Sequence, residues 1–168
     1  MKSKTSKGLK ENSESIPLVR KLTISGIVMA LYITIMIMTQ HFAFGQYQIR
    51  VATSIYGLGA IYPFLIIPLG LSNLLSNTLM GGLGIFDIVG GFIVGVITTS
   101  AVYFIKKLKL SDWLIAIPII LGPGLIVPIW LSYLIGVPYQ ILATSIIIGQ
   151  IIPGILGVLL VKNLRHKI

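Results

Sequence analysis

The chain has 168 residues, of which 55% are hydrophobic and only 10% charged. Soluble globular domains carry about a quarter charged residues and disordered chains are polar, so both classes are excluded for most of the length. The formal net charge is +9, but it gathers at the two ends and in one short cluster, which argues against a nucleic-acid partner, and the absence of cysteine removes disulfides, thiolate metal sites and thiol nucleophiles.

Residues 1–21 form a polar tail with Lys2, Lys4, Lys7, Lys10, Arg20 and Lys21 against Glu11 and Glu14. Basic tails beside membrane spans set orientation, so this one reads as a cytoplasmic anchor. The apolar run from Leu22 to about Thr39 is longer than a signal-peptide core, and the two glutamates argue against a transit peptide.

Apolar segments follow at about 22–40, 51–79, 85–105, 112–135 and 138–161. A helical crossing takes ~20 residues for ~30 Å of hydrocarbon. Five crossings would put the tail on one side of the membrane and both Lys106–Lys109 and the C-terminal basic residues on the other, against the preference of positive charge for the cytoplasm. Pro63 and Pro68 interrupt the long segment, and proline breaks the helical hydrogen-bond ladder. A split near Ile61–Phe64 gives six crossings and leaves Arg50 as the one basic residue outside. The expected fold is therefore an all-α membrane protein: a six-helix transmembrane bundle over 22–162, flanked by cytoplasmic tails 1–21 and 163–168.

This reading has a cost. The second helix, about 51–62, reaches only ~18 Å and must be tilted or sheltered by its neighbours. The segment 112–135 carries Pro118, Pro123 and Pro128, with Gly122 and Gly124 around the middle one, which predicts a kink or a broken turn. The connection 41–50 alternates polar and bulky side chains, which predicts an extended or hairpin-like lid with Gln46, Gln48 and Arg50 on one side.

Few polar residues remain inside. Asp87 is the one carboxylate of the embedded part, either capping the helix that follows Gly82-Leu-Gly84 or facing a ligand. Asn73 and Asn77 share a helix face and point inward, to join helices or to bind solute. Gln46, Gln48 and Arg50 make either a solvated face or a lid, and Arg50 has the alternative of pairing with Asp87 across the mouth. Gln150 lies near the bilayer midplane and needs a partner. Trp130, Tyr133 and Tyr139 fit an interfacial aromatic belt better than a site. Gly26-x-x-x-Ala30 and Gly91-x-x-x-Gly95 permit close helix approach. The sequence holds no HExxH, GxSxG or phosphate-binding GKS/T motif, so no enzyme, metal or cofactor is expected and any ATP use falls to a partner.

Three stretches carry a resemblance: Tyr47-Gln-Ile-Arg50-Val, Pro63 to Asn77, and Gly82-Leu-Gly-Ile-Phe-Asp87-Ile-Val-Gly-Gly. Together they resemble the QueT family, the queuosine-precursor type of substrate-binding (S) component of energy-coupling-factor (ECF) transporters. The likeness covers about 46–105 well and the later segments loosely. It implies an S component in the cell membrane that captures a nucleobase-like or vitamin-like micronutrient from outside. Its partners would be a membrane T component, docked on the small residues Gly26 and Ala30, and two cytoplasmic ATPases. Gln46, Arg50, Asn73, Asn77, Asp87 and Gln150 would line the substrate site. Two acidic positions of the family pattern fall here on Thr53 and Gln150, which removes negative charge suited to a cationic group. That leaves open a neutral substrate, another vitamin, or a structural membrane protein with no solute.

Overall fold

The computed structural model describes residues 16–80 and 82–165, and every regular element among them is helical. Helix α1 spans Leu18–Met38 and a single turn, α2, spans Gln40–Ala43. A 3₁₀ helix runs over Val51–Ala60 and a 3₁₀ turn over Pro63–Leu65 leads into α3, Ile66–Leu79. Helix α4 spans Ile85–Lys107. A 3₁₀ turn at Asp112–Ile115 opens α5, Ala116–Ile135, and α6 spans Tyr139–Arg165.

Helix α1 starts ahead of the expected boundary at residue 22. Pro17, with its fixed φ of -56°, sets the entry, and Leu18–Lys21 already form the first turn. Residues 1–15 of the expected tail lie outside the described residues, as do 166–168.

Cross-contacts fix the levels of the elements. Asn77, Asp87, Trp130, Gln48 and Gln150 meet at one end, here called the upper end. Asp112 meets Lys106 and Arg165 at the other, the lower end. Helices α3 to α6 therefore alternate in direction, and both Leu18 and Arg165 lie at the lower end.

Four helices are long and apolar enough to cross a membrane: Leu18–Met38, Ile85–Lys107, Asp112–Ile135 and Tyr139–Arg165. Their outer faces carry exposed isoleucine and leucine, such as Ile93 and Ile97 on α4 and Ile148, Ile152 and Ile155 on α6. Apolar surface of this extent is stable only against hydrocarbon, so the chain is a multi-pass membrane protein.

Between α1 and α4 the chain makes two shorter apolar helices, Val51–Ala60 and Pro63–Leu79. The break falls at Tyr62, within the expected window, where φ -124° and ψ 87° leave the helical region just before Pro63. The first piece is wholly enclosed: every residue from Ala52 to Ala60 is buried. The shelter expected for a short helix is provided by α1, α4 and α6. Gly57 makes this possible, since a Cβ there would lie 2.9 Å from the Gly157 carbonyl oxygen. A Cβ on Gly157 would in turn lie 3.0 Å from the Ser54 carbonyl oxygen, so two backbones touch with no side chain between them.

Of the two forms expected for 112–135, the broken turn is not found: helix α5 runs continuously through Pro123 and Pro128, both buried. Tight contacts of Gly122 with Thr98 and of Gly124 with Ile147 brace it from two sides, and such packing tolerates a lost hydrogen bond in a membrane helix. Of the two forms expected for 41–50, the extended one is not found; the chain turns back on itself. Its amides are satisfied locally, Gln48 N–H donating to Gly45 O at 3.0 Å and Ile49 N–H to Phe42 O at 2.9 Å. A lone extended segment leaves its backbone groups unpaired, and no strand among the described residues is present to pair with it.

The larger apolar core joins Val28, Tyr32 and Met36 of α1 with Leu65, Leu69, Val102, Ile119 and Val158. A smaller cluster of Val94, Val127, Leu131, Leu142 and Ile146 supports the upper end of α4, α5 and α6.

Candidate functional site

The upper end holds a buried polar cluster centred on Arg50. Arg50 is 5% exposed, and one of its guanidinium nitrogens, Nη1, donates to both Asn73 Oδ1 and Asn77 Oδ1 at 3.2 Å. The four-residue spacing of the asparagines on α3 aims both amides at the same group, as their shared face predicts. Behind them, Asn73 Nδ2 donates to Tyr56 Oη at 2.8 Å, and Tyr56 Oη lies 3.1 Å from Tyr32 Oη. Asn77 Nδ2 donates to the main-chain oxygen of Asp87 at 2.9 Å. The Phe44 ring covers the guanidinium with 5.0 Å from centroid to carbon, a favourable cation–π distance.

Asp87 sits in the first turn of α4, where the helix dipole favours a carboxylate. It is not the cap. That position belongs to Gly84, whose φ of 91° suits glycine alone, and no side chain caps the helix. Asp87 Oδ1 instead accepts from Trp130 Nε1 at 3.1 Å. Asp87 and Arg50 do not form an ion pair; Arg50 Nη1 instead serves the two asparagine oxygens.

Gln150 finds its partners across 97 residues of sequence. Thr53 Oγ1 donates to Gln150 Oε1 at 2.7 Å, and Gln150 Nε2 donates to Gln48 O at 2.9 Å. Thr53 and Gln150 thus touch each other. Gln48 takes a left-handed φ of 44°, which costs roughly 1–2 kcal/mol for a residue with a Cβ, and the Gln150 bond helps hold it. Gly149 lets this loop lie directly on α6, because a Cβ there would collide with the Tyr47 carbonyl.

Two spaces meet at this cluster. An enclosed chamber of about 10 Å³, room for a single water, is walled by Thr53, Asn73, Asn77 and Gln150. Above it opens a cleft of about 810 Å³, within the size range of small-molecule sites. Gln48, Arg50 and Asp87 line both and form the partition. The cleft wall is apolar on one side, with Leu131, Ile135, Ile141 and Leu142, and polar on the other, with His41 and Gln46.

Of the residues singled out from sequence, Arg50, Asn73, Asn77 and Asp87 come together directly, Gln150 joins beneath through the Gln48 carbonyl, and Gln46 stays at the exposed rim of the cleft. Gly26 and Ala30 lie elsewhere, on the exposed side of α1, and a Cβ on Gly26 would meet nothing within 4 Å. Two members of the cluster escaped sequence reasoning. Trp130 reads as a belt residue, yet it is half-buried against Asp87; its i−3 and i−7 neighbours Val127 and Pro123 are buried, which marks the inward face. Tyr56 lies in a uniformly apolar stretch with no periodic signal. Tyr133, by contrast, is 87% exposed.

Four membrane-length helices and a polar-floored cleft at one end define a multi-pass membrane protein of the solute-handling kind. A family model described as "QueT transporter" matches residues 22–166. The chain belongs to the QueT transporter family. No curated protein and no solved structure matches it.

Proposed function

We propose that the chain is the substrate-capturing S component of an ECF-type importer. It crosses the membrane six times, with the two shorter helices as the second and third crossings and both termini in the cytoplasm. The upper end faces outside. There it takes up a small nucleobase-like or vitamin-like micronutrient, with a queuosine precursor as the first candidate. Gln46, Arg50, Asn73, Asn77, Asp87 and Gln150 build the site. The observation that carries this reading is the ligand-sized cleft floored by buried Arg50 and Asp87. Intramembrane charge is costly and is retained where it meets substrate.

The distribution of basic residues supports the orientation: Lys106, Lys107, Lys109, Lys162 and Arg165 all lie at the lower end, and among the described residues Arg50 is the one lysine or arginine at the upper. With no phosphate-binding motif in the chain, energy must come from partner ATPases working through a membrane T component. Gly26 and Ala30 give that component a flat, side-chain-poor strip on α1 for close helix contact.

The test is co-purification from membranes holding all subunits. Wild type is expected to bring down the T component and two ATPases. Gly26→Leu is expected to lose them while keeping wild-type thermal stability, because its side chain projects into open space. Wild-type recovery of partners by Gly26→Leu removes α1 as the docking surface, and failure of wild type to recover any partner contradicts the S-component reading.

A further inference from the structure

We infer that the lower end carries a seat for the headgroup of an anionic phospholipid, built where the start of α5 meets the end of α6. Lys162 and Arg165 hold the phosphate, Trp113 sets its depth, and the outer faces of α5 and α6 take the acyl chains. The seat depends on the chain crossing a membrane and not on what the upper cleft binds.

Two carboxylates lie among the described residues, Asp87 at the upper end and Asp112 at the lower. Asp112 accepts from Lys106 and, through both oxygens, from Arg165. Lys162 stands beside this group with no carboxylate of its own. Its ammonium lies 4.3 Å from the centre of the Trp113 ring, well within cation–π range. Lys106, Lys162 and Arg165 against Asp112 leave two positive charges in excess. Arg165 engages Asp112 through Nη1 alone; its other guanidinium nitrogens make no hydrogen bond to a described residue, and its side chain is 33% exposed. Lys162 and Arg165 are three apart on α6 and share a face. Together they present an ammonium and a guanidinium edge, a donor set suited to phosphate.

Cations alone would fit any acidic partner. The apolar surface beside them selects lipid. Trp113, Ile117 and Leu121 recur at four-residue spacing and so line one side of the α5 segment, all three exposed. At the helical rise this track runs roughly 12 Å, most of one leaflet of hydrocarbon. On α6, Leu159, Ile155 and Ile152 lead away from Lys162 toward the middle of the bundle and are exposed as well. The two tracks adjoin where Lys162 reaches Trp113. Tryptophan settles at headgroup depth, which puts Lys162 and Arg165 at the level of the phosphates. The loop after α4 repeats the pattern, with Lys109 between exposed Leu108 and Leu110. A zwitterionic headgroup brings its own cation to a site already positive by two charges; an anionic headgroup does not.

The test uses the full chain in phosphatidylcholine vesicles that contain a minor fraction of either phosphatidylglycerol or phosphatidylcholine with brominated acyl chains, which quench nearby tryptophan. Trp113→Phe keeps a ring beneath Lys162 and isolates the signal of Trp130 at the upper end. After that signal is subtracted, the anionic lipid is expected to bind beside Trp113 more strongly than phosphatidylcholine, by roughly fivefold for each cation engaged. Lys162→Gln is expected to cut this preference by roughly fivefold with an unchanged unfolding temperature. Lys107→Gln, whose ammonium stands over Tyr103 and Phe104 of its own helix, is expected to change it little. Equal losses in the two variants would mean a diffuse surface potential and overturn the seat. Arg165→Gln provides the same comparison if Lys162→Gln does not fold. Equal quenching of wild type by the two lipids overturns the inference and leaves the cations to an acidic protein surface. Displacement of the anionic lipid by an equal concentration of glycerol 3-phosphate would show an anion site with no place for acyl chains, and also overturns it.

Discussion

The upper and lower halves of this bundle are held by different physics. The lower half is made of backbone contact: Gly57 against Gly157, Gly59 against Thr99, and an apolar core from Val28 to Val161. The upper half joins a smaller apolar cluster to hydrogen bonds radiating from one buried arginine. The lower half also buries two hydroxyls, of Thr98 and Thr99, that have no hydrogen-bond partner among the described residues. The upper half contains a charge, where each missing partner is expensive. The lesson is a division of labour. Glycine contacts make a rigid base, and the polar cluster on top is free to serve recognition.

The largest effect should come from the base. Gly157→Val puts a branched side chain where a Cβ already lies 2.6 Å from Ile119 Cδ1 and 3.0 Å from the Ser54 carbonyl. Backbone cannot yield as a side chain does, so the cost should reach or exceed the ~1–3 kcal/mol of ordinary core overpacking. Loss of a monodisperse peak in detergent chromatography is expected. A wild-type unfolding temperature for this variant would erase the contrast between the halves.

The smallest effect should come from charge at the lower rim. Asp112 accepts from Lys106 and from Arg165, the latter through both oxygens at 3.1 Å, but it is only half-buried and open to salt. Asp112→Asn should cost about 0.2–1 kcal/mol, with the difference shrinking at high salt. A loss as large as that of Gly157→Val would show that the base too depends on charge.

Much of this was legible in the sequence, for identifiable reasons. The apolar segments and their break at Ile61–Phe64 follow from hydropathy and Pro63, which act locally. The pairing of Asn73 with Asn77 follows from helical periodicity. The lid conformation was not legible, because its alternating pattern satisfies a strand only when another strand lies beside it. Nor was the partner of Gln150: Thr53 and the Gln48 carbonyl reach it through contacts about a hundred residues away, and no local pattern encodes them. Trp130 was misread because interfacial and inward-facing tryptophans share the same composition. Its indole N–H turns to Asp87 because a buried carboxylate needs a donor.

The central claim, that the upper cluster is a solute site standing on an independent base, is tested most directly by one paired measurement on Arg50→Gln. Affinity across a panel of purines, deazapurines and vitamins and unfolding temperature are recorded on the same preparation. Glutamine keeps a donor for the asparagine oxygens but removes the charge and the Nε group. The account predicts that affinity falls by at least roughly five- to 150-fold while unfolding stays within a few degrees of wild type, about the shift for 1 kcal/mol in a protein this size. Wild-type affinity with an intact fold would contradict it.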